Sequence, residues 1–85
     1  MHHLLLGHGL ALPALRANAP QAQHGIVVNC APGYAQADTP EDRDAAHLFE
    51  TYQNRWVMDP LLQGEYPADL WRYWKGAEPL VLNGD

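Results

Sequence analysis

The chain has 85 residues, 47% of them hydrophobic, and a net charge of −5. That length holds one small domain with a thin core, burying roughly 60–65% of its unfolded surface. The acidic balance argues against nucleic acid as a partner, and no polybasic cluster marks an anionic membrane surface. Cys30 is the sole cysteine, so no intrachain disulfide framework and no zinc ribbon are available.

The N-terminus carries Leu4-Leu5-Leu6, but no Lys or Arg precedes it, and His3, Gly7 and His8 break up the apolar character. A secretory signal needs a basic start and a longer apolar run. No stretch approaches the roughly 20 apolar residues of a membrane span. A cytoplasmic chain is expected.

Residues 2–17 read as a first helix. Leu4, Leu5, Leu12 and Leu15, with His8 and Ala11 between them, fall near one face at helical spacing. Pro13 lacks a backbone donor and presses on the carbonyl of Gly9, which predicts a kink. No Ser, Thr, Asp or Asn stands ahead of the helix as a cap, so it reads as entered from sequence further upstream. Asn18, Pro20 and the polar run to His24 end it.

Gly25-Ile26-Val27-Val28-Asn29 is the one convincing strand. Its apolar residues run without alternation, the pattern of a strand buried on both faces. Such strands sit in parallel sheets between helices. The chain supplies the helices but no second strand, so the segment reads as one stave of a larger barrel. The expected class is α/β, mostly helical, with one buried-type strand at about 25–29.

Pro32-Gly33 opens a loop to Asp38. Thr39-Pro40-Glu41-Asp42 then combines an N-cap, a proline at the first helical position and two carboxylates at the positive end of the helix dipole. A helix is predicted at about 40–55, burying Ala45, Leu48, Phe49, Tyr52 and Trp56. Trp56 to Gly64 reads as an irregular or short helical connection, started by Asp59-Pro60 and closed by Gly64. A third helix is predicted at about 67–75, with Leu70, Trp71 and Trp74 inside and Gly76 at its end. Leu80-Val81-Leu82 reads as a short extended piece.

Several of these stretches together resemble the family 1 glycoside hydrolases, the β-glucosidases. Asn54-Arg55-Trp56-Val57-Met58-Asp59-Pro60-Leu61-Leu62-Gln63-Gly64-Glu65-Tyr66-Pro67 is similar to that family's N-R-W-x-x-D-P-L-x-x-G-x-Y-P stretch. His2-His3-Leu4-Leu5-Leu6-Gly7-His8-Gly9-Leu10-Ala11 resembles its H-H-L-L-L-A-H-G-L-A helix. Residues 25–29 resemble its fifth barrel strand, and Thr39-Pro40-Glu41-Asp42 its S-P-E-D helix start. The four segments follow family order and spacing. The resemblance implies a (β/α)8 barrel, of which a chain this short is a partial piece, since a whole barrel takes roughly 200 residues or more. Residues 1–85 then form one segment of the barrel and no complete domain.

The resemblance also implies retaining hydrolysis of terminal β-linked glucosides, without a cofactor. That chemistry uses two carboxylates about 5–5.5 Å apart. In the family they lie in an N-E-P motif ending the fourth strand and a T/V-E-N-G motif ending the seventh. Neither motif occurs in these 85 residues. No catalytic residue is therefore assigned, and the chain alone is expected to be inactive. Ala77-Glu78-Pro79 is a decoy, with Ala in place of Asn and no strand before it.

Asn29 is the leading site residue. Strand ends line the active site of this barrel, and by resemblance Asn29 lies near the aglycone side of the sugar pocket. The alternative is that it only ends the strand and starts the loop. Cys30 and Tyr34 share the loop as weaker candidates for aglycone contact.

His2, His3 and His8 lack the i, i+4 spacing of a two-histidine metal site, and His24 and His47 are isolated, so no metal is assigned. Trp56, Trp71 and Trp74 read as helix packing rather than a sugar platform. Asp38, Glu41, Asp42 and Asp44 read as a solvated helix start. The expected partners are a β-glucoside in the complete enzyme and the missing barrel parts. The competing reading is a small helical module that binds a partner or itself through unpaired strand edges.

Overall fold

The computed structural model describes residues 1–85. Four α-helices form: α1 (His2–Asn18), α2 (Pro40–Glu50), α3 (Trp56–Gln63) and α4 (Leu70–Tyr73). A π-helical turn, Thr51–Arg55, joins α2 to α3. The chain divides into two units, one of residues 1–27 with 79–85 and one of residues 28–78.

The first unit is α1 and the C-terminal tail. The helix runs without interruption through Pro13 and carries no side-chain cap at Met1. Its half-buried side is Leu5, Leu6, His8 and Leu12, while Leu4 and Leu15, expected to face inward, are exposed. His2 is buried, and its Nε2 lies 3.1 Å from Asp85 Oδ2. The same Asp85 oxygen accepts the Leu82 N–H at 2.8 Å. This N–H, and then His2, hold the Asp85 carboxyl below its ordinary value. Leu80-Val81-Leu82 is exposed and forms no strand.

The predicted strand at 25–29 is not formed. Residues 23–35 take no regular structure, Val27 is 98% exposed, and Ile26 is exposed as well. The physical reason is the one the sequence raised. A strand gains its ladder from neighbours, and these 85 residues contain no other strand to supply them.

The second unit is built on the helical run 40–63. Thr39 Oγ1 accepts the Asp42 N–H at 3.2 Å, with Pro40 at the first helical position and Glu41 and Asp42 in the first turn, as the sequence predicts. The run does not stop near residue 55. At the π-turn the Trp56 N–H reaches the Thr51 carbonyl, five residues back. The helix then continues, so of the irregular or short helical connection expected at 56–64 the helical form is present, as α3. Asp59 and Pro60 lie inside α3 instead of starting it. Gly64 closes α3 in the left-handed conformation at φ 78, where a side chain is disfavoured. The third predicted helix shortens to the single turn α4.

The core of this unit is small. Leu70 is 1% exposed and Thr51 fully buried, and Pro67 is buried as well. Trp56 and Trp74 meet edge to face with centroids 4.1 Å apart, and Tyr52 lies 5.4 Å from Trp56. Tyr66 and Trp71 form a second edge-on pair at 5.4 Å. Trp56 packs on Trp74 and Trp71 on Tyr66, edge-on geometries favoured by the ring quadrupoles. Ala45, Leu48, Phe49 and Tyr52, expected inside, are exposed.

Candidate functional site

The loop that follows the unformed strand is held from one side by α2 and the π-turn. Glu50, Gln53 and Asn54 stand at spacing i, i+3, i+4, which puts them on one helical face. The Asn54 side chain takes the Ala31 N–H on Oδ1 at 3.0 Å and donates from Nδ2 to the Ala31 carbonyl at 2.7 Å. Glu50 Oε1 accepts the Gly33 N–H at 2.7 Å. Its other oxygen accepts from Asn54 Nδ2 at 2.5 Å. Gln53 Nε2 donates to the Asn29 carbonyl at 3.2 Å. The Gly33 N–H, and then Asn54, lower the Glu50 carboxyl below its ordinary value, because both bonds favour the charged form.

Further along, the loop closes onto the start of α2. The Ala37 N–H donates to Asp42 Oδ2 at 2.8 Å, and Arg43 pairs with Asp38. An open groove of about 400 Å³ lies between the loop and α2, walled by Pro32, Gly33, Tyr34, Ala46 and Phe49 among others. Gly33 is where loop and helix meet most closely. A Cβ there would stand 2.7 Å from Phe49 Cδ1 and 3.2 Å from the Ala46 carbonyl oxygen.

The three residues singled out by sequence are placed as follows. Asn29 is exposed, and its carbonyl is tied to Gln53. Cys30 is an exposed free thiol. Tyr34 is 85% exposed at the groove's edge. All three lie on the loop held by Glu50, Gln53 and Asn54. Sequence reasoning missed those three holders. Their polar i, i+3, i+4 pattern was visible, but the loop they face was not.

A second polar cluster ties the π-turn to the segment before α4. His47 Nε2 lies 2.5 Å from Asp69 Oδ2, and Arg55 reaches the same carboxylate at 3.2 Å. Arg55 Nε also bonds Asp59 at 3.2 Å, one helical turn on. Burial pushes the Asp69 carboxyl up most strongly of any single influence. The His47 hydrogen bond, the Arg55 charge, a backbone hydrogen bond and the His47 charge together outweigh it, so the net direction is down. Burial raises the Tyr66 phenol. Arg55, Trp56, Asp59, Gly64, Tyr66 and Pro67 of the family-like stretch thus serve a corner: an ion-paired helix, its left-handed stop, and aromatic packing.

The remaining histidines are dispersed. His2 and His3 are ring neighbours at 5.7 Å, and His24 Nε2 lies 3.0 Å from the Ala19 carbonyl. No three His, Cys, Asp or Glu side chains come together in a way that could hold a metal ion. No helix is long and apolar enough to cross a membrane. Glu78 is exposed and follows no strand.

Comparison with known proteins adds the context that this geometry lacks. The family model described as glycosyl hydrolase family 1 matches residues 1–84. A beta-glucosidase A of Acetivibrio thermocellus is 38% identical over 74 residues, covering 87% of this chain and 16% of that protein. A beta-glucosidase of an Agrobacterium species is 36% identical over 70 residues, covering 82% of the chain and 15% of the relative. A bifunctional beta-D-glucosidase/beta-D-fucosidase of Bifidobacterium breve is 39% identical over 75 residues, covering 88% and 15%. The chain therefore spans about one-sixth of the length of these curated relatives.

Proposed function

Because the chain belongs to glycosyl hydrolase family 1, we propose that it is the part of a β-glucosidase barrel around the fifth strand. The match over residues 1–84 carries this reading. In the completed barrel, residues 25–29 find the neighbouring strands that make them a strand. Asn29, Cys30 and Tyr34 then stand at the carboxyl end, where barrel enzymes place their sites. Asn29 offers an amide to hydroxyl groups on the aglycone side of a β-glucoside, and Tyr34 offers a ring and a phenol. The two carboxylates of retaining hydrolysis come from other parts of the barrel, since this chain holds neither motif.

The reaction proposed for the completed enzyme is hydrolysis of a terminal β-linked glucoside with retention. The 85-residue chain contributes binding groups and scaffold, and has no turnover of its own. Incubating the purified chain with p-nitrophenyl β-glucoside tests this. No release of nitrophenolate above buffer is expected, and turnover abolished by mutating a chain carboxylate would overturn the assignment.

A second reading rests on the exposure of Ile26 and Val27 and of Leu4, Leu10 and Leu15 on α1. In it the chain is a small helical module that pairs with another copy or partner. Mixing with the missing barrel segments separates the two: recovered activity supports the barrel, and a defined oligomer indifferent to those segments supports the module.

A further inference from the structure

We propose that Glu50, Gln53 and Asn54 are positioning residues, whose side chains stand in for a neighbouring strand along 29–33 and thereby set where Asn29, Cys30 and Tyr34 meet the substrate's aglycone. The inference rests on the barrel-segment reading above for the substrate, and on hydrogen bonds alone for the clamp.

The residues held are 29, 31 and 33, every second one. That is the period with which an extended chain turns its backbone groups to one edge. At the centre, Asn54 exchanges both a donor and an acceptor with one residue, Ala31, at 2.7 and 3.0 Å. A hydrogen-bonded pair in an antiparallel ladder makes the same two-way exchange. On either side, Gln53 takes the Asn29 carbonyl and Glu50 takes the Gly33 N–H. Pro32, which has no N–H to offer, falls at an alternate position. Asn54 Nδ2 also bonds Glu50, so these two side chains brace each other. The loop's register is thereby fixed by a helix, and a change on that helix alters the loop without touching a ligand.

Amide exchange on the full chain tests the clamp. The Ala31 and Gly33 amides should exchange slowly beside that of exposed Val27. Asn54→Ala should speed Ala31 by about tenfold or more while the α2 amides keep their protection. Asn54→Asp keeps an acceptor but turns a carboxylate oxygen toward the Ala31 carbonyl and Glu50 in place of the donor, and should speed Ala31 exchange at neutral pH as well. Exchange at Ala31 as fast as at Val27 in the unaltered chain overturns the clamp.

The positioning role is read in a chimera in which this chain replaces the matching stretch of a curated β-glucosidase relative. With p-nitrophenyl and octyl β-glucosides, Asn54→Ala should raise KM about tenfold for at least one aglycone and hold kcat within about twofold. Gln63→Ala, on exposed helix surface, should change neither. An unchanged KM, or a loss confined to kcat, overturns the positioning role. An inactive chimera overturns the barrel-segment reading and the substrate role with it, whereas slow Ala31 exchange still supports the clamp.

Discussion

Gly33 and Thr51 show how much single atoms decide here. A methyl at Gly33 would press on the Phe49 ring and the Ala46 carbonyl, so either the ring or the loop must move. Gly33→Ala is expected to cost about 1–3 kcal/mol, the usual penalty of overpacking, seen as a lower urea midpoint by tryptophan fluorescence. An unchanged midpoint would mean that the ring swings away freely. At Thr51 the sign reverses. Its Oγ1 is buried and has no hydrogen-bond partner. Thr51→Val keeps the β-branched shape and removes that hydroxyl. It should raise stability by about 1 kcal/mol, since an unsatisfied buried polar group costs about 1–3 kcal/mol.

The helical run 40–63 depends on its first turn and on the corner where it meets α4. Removing the Thr39 hydroxyl leaves the Asp42 N–H without its acceptor. Thr39→Ala should cost about 1 kcal/mol, typical of a lost cap, and lower the helical circular dichroism signal before the tryptophan signal changes. At the corner, Asp69 is held below its ordinary 3.8. A carboxyl depressed in the folded state contributes stability that is fully present above its unfolded value and lost as pH falls through the folded value. Unfolding by urea should therefore become easier as pH drops below about 4. Asp69→Asn should remove part of that acid slope; an identical slope in the variant would show that the His47–Asp69–Arg55 cluster carries none of it. Glu50, lowered by Gly33 and Asn54, works in the same direction.

For the whole molecule the decisive quantity is what stays uncovered. Leu70 is the one core hydrophobic residue, whereas Val27, Leu4, Leu10, Leu62 and Leu80 are each at least 70% exposed. Burying a Val or Leu side chain gains about 1.5–3 kcal/mol, and total stability is only about 5–15 kcal/mol. Several such residues left in water remove a large part of it. The isolated chain is expected to bind a hydrophobic dye and to associate as concentration rises in sedimentation velocity. A sharp two-state melt of a monomer without dye binding would contradict this.

Local signals were legible in the sequence because they act over a few residues. The cap at Thr39 and the stop at Gly64 each depend on residues near in the chain, and both stand where the sequence put them, whereas Asp59-Pro60, read as a helix start, lies inside α3. The membership of the family was equally legible, because its motifs are local strings in a fixed order. Three things were not. The strand at 25–29 has the right residues but needs partners from other strands, and without them Ile26 and Val27 face solvent. The π-turn at 51–55 adds a residue to the helical ladder, which spacing alone does not reveal. The hold of Glu50, Gln53 and Asn54 on residues 29, 31 and 33 joins groups about twenty positions apart. A side chain's hydrogen-bonding capacity is written in its identity. Which backbone group satisfies it is decided only when the loop and the helix come together.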